Sequence, residues 1–355
     1  MKTFRTYVDE HTSTQHSYQL VELTEEEYYD ELNEATDAAT KGGAGADTKG
    51  KLHELLVGYH MLGRHMSKHP DIEGDSPKQA HDKLKEKVSP EEYKAINQRA
   101  KEAAADIKAS AEQKGHKVHD VHWTSKPGDI ERSTGIASTQ KQDASDLVLH
   151  TKKGKSVKYH GVSLKVTDSS NKHVPVSNPG IESTLGGEKI LQKHREDIQS
   201  KFPALKKATN AAARKELLKS SPKMEAYVKD RNKETLHSIA NNLHSKLSKM
   251  SHEDLVDHIQ THVLQTKPTP MQQQGHEHLR HTTYMVKGKN AFHHVDPSTD
   301  YSHIYSSPQH ITVQHSGTSI NFLHKGKKFA SHRIKFSSQS DPLSSIKGSG
   351  TPMGD

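Results

Sequence analysis

The chain has 355 residues, 30% of them hydrophobic and 27% charged, with a formal net charge of +7 and no cysteine. Disulfides and thiolate sites are therefore excluded, and a reducing interior is the expected compartment. No run approaches the roughly 18 to 20 apolar residues that a membrane span needs, and residues 1–10 hold no apolar stretch of secretion-signal length, so the expectation is a cytoplasmic protein without a membrane partner.

So few apolar residues predict one modest core with extended polar segments. The charge is uneven. Residues 1–48 carry three Lys/Arg against eleven Asp/Glu, which leaves the body at about +15. A basic body suits a polyanionic partner, nucleic acid being the commonest, although an ordinary Lys-rich helical surface gives the same balance. The 29 histidines raise a zinc reading. The best clusters are His258/His262, four apart on an expected helix, and His276-Glu-His-Leu-Arg-His281. Neither has the H-E-x-x-H spacing of a zincin, and compositional bias is the preferred explanation.

Along the chain, residues 1–23 read as extended or weakly ordered. Thr24 and Glu27 form a capping-box pattern that opens an acidic helix, which dissolves into a glycine-rich hinge at Lys41-Gly-Gly-Ala-Gly. Residues 1–48 are therefore read as an acidic, partly disordered appendage. From Gly50 to Gly63, Leu52, Leu55, Leu56, Tyr59 and Leu62 recur at helical spacing, with Glu54 on the flank of that stripe. Ser89-Pro-Glu-Glu92 starts a second helix that runs to about Lys114, with Ser89 as N-cap, Pro90 at the first position and Glu92 closing the box.

Lys117–Trp123 has the character of a strand and holds the only tryptophan. After a polar loop come two further strands, one opened by Asp146 and one ending in Gly161-Val-Ser-Leu-Lys165-Val. Strand side chains alternate, so Ser163 and Lys165 share one face while Val162, Leu164 and Val166 take the apolar one. Residues 182–265 read as a charged helical insertion, broken near Pro203 and Pro222, with a cap at Ser251. Strand-like alternation resumes over 282–286, 310–314, 320–323 and 328–336. The Ser/Gly-rich stretch 337–355 reads as a flexible tail.

The order of Glu54 in a helix, Asp146 opening a strand, then Ser163-Leu-Lys165 on the next strand resembles the PD-(D/E)xK, or restriction-endonuclease-like, nuclease superfamily over roughly residues 49–200. The resemblance implies an α/β fold: a mixed β-sheet flanked by helices, here with a helical insertion and C-terminal strands extending the domain to residue 336. It also implies metal-dependent cleavage of DNA with Mg²⁺, for which Mn²⁺ can substitute. Asp146 is then the leading metal ligand, Glu54 a second carboxylate and the Leu164 carbonyl a further ligand, with Lys165 beside the attacking water. The start of the chain also resembles an uncharacterised tailed-phage protein, which would place it in the host cytoplasm.

Ser163 departs from the pattern, because the family has Asp or Glu there. Either Glu54 or Asp143 supplies the missing charge, or the site has decayed. Ser125, Lys126, Lys172, Asn178, Arg333 and Lys335 are candidate DNA contacts, offering hydroxyls, amides and cations for phosphates. Each of these residues also has a plain reading: Asp at a strand start closes a turn, Ser-x-Lys is an everyday solvent-facing pair, and Glu54 pairs with Lys51 or Arg64. The competing functions are a catalytically inactive nucleic-acid-binding or phage structural protein on the same fold, and a histidine-rich metal-binding protein.

Overall fold

A computed structural model describes residues 45–353, apart from 69–73, 140–141, 155, 179, 181–186, 339–340 and 342. The acidic helix expected from Thr24 and the Lys41 hinge lie outside the described residues.

Helix α1 (Ala46–Leu62) buries Leu52, His53, Leu55, Leu56, Val57 and Met61. α2 (Pro77–Lys85) and α3 (Pro90–Gln113) both begin at serine capping boxes with proline just inside, Ser76 with Gln79 and Ser89 with Glu92. Reciprocal capping satisfies backbone donors that the first helical turn otherwise leaves unpaired. Strand β1 (Lys117–Trp123) leads through the short α4 (Asp129–Thr134) to the hairpin β2 (Leu147–Lys153) and β3 (Ser156–Val166).

The charged middle of the chain forms α5 (Glu188–Lys201), α6 (Pro203–Lys207), α7 (Ala211–Lys219) and α8 (Pro222–Leu247). α9 (His252–His258) follows and runs into a π-helical turn at Ile259–Val263. The expected breaks at Pro203 and Pro222 fall at helix starts, where a missing N–H costs nothing. The short α10 (Pro270–Gln273) then enters β4 (Glu277–Val286), which turns into β5 (Lys289–Val295).

The five strands form one mixed sheet in the order β1-β2-β3-β4-β5. β3 and β4 are parallel and every other pair is antiparallel. One face packs against α1 and α3: Leu147, Leu149, Val162 and Leu164 join Leu52, Leu56, Ala100, Ala104 and Ile107 in a single core. The fold is thus α/β.

The second sheet is antiparallel, with β6 (Ile311–Ser316), β7 (Ser319–His324), β8 (Lys327–Phe336) and β9 (Ile346–Pro352) in sequence order. Its core draws on Leu191, Ile239, Leu243, Leu247, Ile259 and Val263 together with Ile320, Phe322 and Ile334. Helices do stand between β3 and β4, as the expected insertion has them, and the apolar residues of α5, α8 and the Ile259–Val263 turn pack against the second sheet. Of the C-terminal strands, only β4 and β5 extend the first sheet; β6 to β9 build their own. The expected flexible tail is corrected, because residues 346–352 pair with β8 along the whole of β9. Gly350 lies against the Val263 carbonyl and the Ser177 hydroxyl, so the small residues that look loose are what close packing there requires. Among the described residues, no helix is long and apolar enough to cross a membrane.

Candidate metal and phosphodiester site

Asp146 directly precedes β2. Its N–H donates to the Val162 carbonyl (2.8 Å), and the Leu147–Val162 pairing continued by one residue sets Asp146 opposite Ser163. One carboxylate oxygen of Asp146 accepts the Leu164 N–H at 2.7 Å and lies 4.0 Å from the Lys165 ammonium. The Ser163 hydroxyl donates to the same carboxylate. Val162 and Leu164 point the other way, into the helix-packed core, so the alternation read from the sequence is realised.

Glu54 arrives from α1 at the end of the sheet where β1 and β3 finish and β2 begins. Its carboxylate accepts the indole N–H of Trp123, the last residue of β1, at 2.9 Å. Glu54 lies close enough to Asp146 and Lys165 to interact with both. The structure therefore brings Glu54, Asp146, Ser163 and Lys165 to one place. Asp146 and Lys165 keep about a quarter of their side-chain surface in solvent, 25% and 28%, so the site is recessed but open.

Its electrostatics are those of a site short of positive charge. Burial and the neighbouring Asp146 push Glu54 from an ordinary 4.5 to about 8, against the opposing pull of the Trp123 hydrogen bond, Lys165 and Lys51. Asp146 is raised as well, again chiefly by burial. Lys165, the Leu164 N–H and Ser163 only partly offset that burial, and Asp143 adds to it. Two carboxylates whose burial raises their proton affinity are thus held beside one ammonium.

Behind Asp146 lies a polar chain that the sequence did not reveal. Asp143 accepts both the N–H and the hydroxyl of Ser145, and Ser145 contacts Nδ1 of His278 at 3.2 Å. Asp143, Ser145 and His278 are all buried, and Asp143 Oδ2 has no hydrogen-bond partner among the described residues. Gly161, midway along β3, makes room for this chain, since a Cβ there would collide with Ser145, Met271 and His278. Arg280 sits opposite Ser163 on β4 and is buried, donating to the Leu264 carbonyl at 2.7 Å.

The remaining candidates are scattered. Ser125 and Lys126 follow Trp123 and line a cleft with Ser67, Lys68 and Asp129, on the Trp123 side of the site. Lys172 lies in the loop after β3, beside His173 and His293. Asn178 is exposed next to Ser177, which bridges to β9. Arg333 and Lys335 share a face of β8, paired to Ser349 and Lys347, and so belong to the second sheet rather than to the one that carries Asp146. Among the described residues, the close ion pairs of Lys51 and Arg64 are with Asp47 at 2.9 Å and Asp120 at 3.9 Å rather than with Glu54, although Lys51 is near enough to act on Glu54.

The chain matches no protein-family model, no curated protein and no solved structure.

Proposed function

We propose that this protein is a metal-dependent nuclease that hydrolyses DNA phosphodiester bonds at the Glu54–Asp146–Lys165 site, on a restriction-endonuclease-like version of its mixed sheet. The observation that carries the reading is the meeting, at one end of the sheet, of two recessed carboxylates with raised proton affinity and a lysine 4.0 Å from one of them. The donor set suits Mg²⁺ or Mn²⁺, which prefer oxygen ligands. Glu54 and Asp146 would supply carboxylates and the Leu164 carbonyl a neutral oxygen.

Such an ion, when bound, would polarise the phosphate and acidify a water. The residues of the chain do the rest. Lys165 holds positive charge at the carboxylate edge, where it stabilises hydroxide and the charge that builds on the phosphate oxygens. The Leu164 N–H and the Ser163 hydroxyl fix the Asp146 carboxylate in place, and Trp123 does the same for Glu54. The Asp143–Ser145–His278 chain backs Asp146 with further negative charge, which offsets in part the carboxylate that Ser163 does not supply. The basic body, about +15 outside residues 1–48, matches a polyanionic substrate.

Ser163 also favours a second reading, in which the same fold binds nucleic acid without cleaving it. Incubation with linear, circular and single-stranded DNA in Mg²⁺ or Mn²⁺ separates the two. Cleavage that Lys165→Ala removes supports the nuclease. Salt-sensitive binding without cleavage, identical in Lys165→Ala, refutes it.

A further inference from the structure

We propose that Asp106, His281 and His294, with His53 behind them, form a site for a borderline divalent transition-metal ion, Zn²⁺ first, which ties α3 to the β4–β5 edge of the first sheet. His281 and His294 are direct cross-strand partners on β4 and β5, so both rings leave the sheet on the face that α3 covers. Their ring centres are 5.0 Å apart. Asp106 descends from α3, and a single carboxylate oxygen meets Nε2 of His281 at 3.0 Å and Nε2 of His294. Two nitrogens of the same type and one oxygen, from three elements, thus lie within 4.8 Å of one another. Tetrahedral zinc, with bonds of about 2.0 to 2.1 Å, spaces its ligand atoms roughly 3.3 Å apart. A small outward movement of the side chains therefore seats the ion.

The second observation is His53 of α1. It is 3% exposed, and neither of its ring nitrogens has a hydrogen-bond partner among the described residues. A buried imidazole with both nitrogens unsatisfied is costly, and such groups call for a partner. His53 lies beside Arg99 and His281. Imidazoles with one carboxylate suit zinc and its neighbours in the first transition row, and not Mg²⁺. Asp106 and His294 retain 28% and 31% exposure, which gives an ion a way in, whereas His281 is fully enclosed.

A rival cluster of His116, His160 and Glu277 is spaced comparably. There, however, Glu277 already binds Lys114 at 2.7 Å and Lys158 at 3.1 Å. Two ammonium groups on the carboxylate repel a dication and satisfy the charge without one. The groups acting on Asp106 are the two imidazoles.

The test uses untagged full-length protein loaded with Zn²⁺, freed of excess by gel filtration and measured by elemental analysis. The expected result is about one zinc per chain, unchanged in Glu277→Gln. His294→Gln and Asp106→Asn should weaken zinc by at least the roughly 10- to 100-fold that loss of an outer partner alone produces. Zinc should raise Tm in the wild type but not in these variants. If both variants misfold by circular dichroism, the Co²⁺-loaded wild type decides: visible bands of a tetrahedral site with nitrogen ligands support the proposal. Substoichiometric zinc in the wild type, absence of those bands, equal binding by the folded variants, or loss of zinc in Glu277→Gln overturns it.

Discussion

Replacing Glu54 with glutamine should stabilise the metal-free protein as pH rises. In the folded chain Glu54 ionises only near pH 8, whereas in the unfolded chain it does so near 4.5. Between those values the unfolded state has released a proton that the folded state keeps. Stability therefore falls as pH rises through this window and levels off above it. At about 1.4 kcal/mol per pH unit, the interval sets a ceiling of ~5 kcal/mol. Residual solvent access and dependence on Asp146 reduce this to a few kcal/mol.

The Glu54→Gln change removes that penalty while keeping a carbonyl oxygen for the Trp123 N–H. A divalent ion acts in the opposite sense, since it binds the folded state with Glu54 ionised. At 100 times its dissociation constant, it adds about 2.7 kcal/mol. The assay is urea unfolding of wild type and Glu54→Gln at pH 5.5, 7.0 and 8.5, with and without Mg²⁺. Without metal, the variant should lead by no more than about 1.4 kcal/mol at pH 5.5, one unit above the unfolded value, and by a few kcal/mol at pH 8.5. With Mg²⁺, the wild type should gain at pH 8.5 and the variant little. Parallel pH profiles within about 0.5 kcal/mol, the scatter of a neutral surface change, would refute the placement of Glu54 in a charge-starved site.

Lys165→Met should reduce cleavage by about 10² to 10⁴-fold, the span for a group assisting proton transfer, while leaving metal binding in place; unchanged cleavage rates would remove lysine from the mechanism. Ser163→Asp restores a third carboxylate. It should tighten Mg²⁺ binding and destabilise the metal-free protein by ~3 kcal/mol, as an uncompensated buried charge does, and metal titration with thermal melts checks both. Gly161→Ala forces a Cβ into the Ser145–His278 chain and should cost about 1 to 3 kcal/mol through overpacking, measurable by urea unfolding. A neutral result there would mean that the chain is loosely held.

Local signals in the sequence are readable where the physics is local. The Ser89-Pro-Glu-Glu92 box does start a helix, Pro90–Gln113, because capping and a proline at the first position act within one turn. The alternation of Val162, Ser163, Leu164 and Lys165 separates core and site faces correctly, because a strand has period two. What is not legible depends on contacts distant in sequence. His276 to His281 invites a test for helical zinc spacing, yet most of it is strand β4. Alternation there sends His278 behind Asp146 and His281 toward α3, with Glu277 and Leu279 on His281's face. β9 is hidden by its glycine and serine content, which fits a strand only because His332 and Val263 crowd it. Parallel pairing of β3 with β4 spans the entire helical segment, and no local pattern encodes it.

The central claim is that Glu54 and Asp146 hold a divalent ion, and Trp123, the only tryptophan and hydrogen-bonded to Glu54, reports on it directly. Mn²⁺ titration of the metal-free protein should quench Trp123 emission saturably in the wild type, with excess Mg²⁺ reversing the quench and Asp146→Asn losing it. Emission that does not change on Mn²⁺ addition, or that changes equally in Asp146→Asn, would contradict the account.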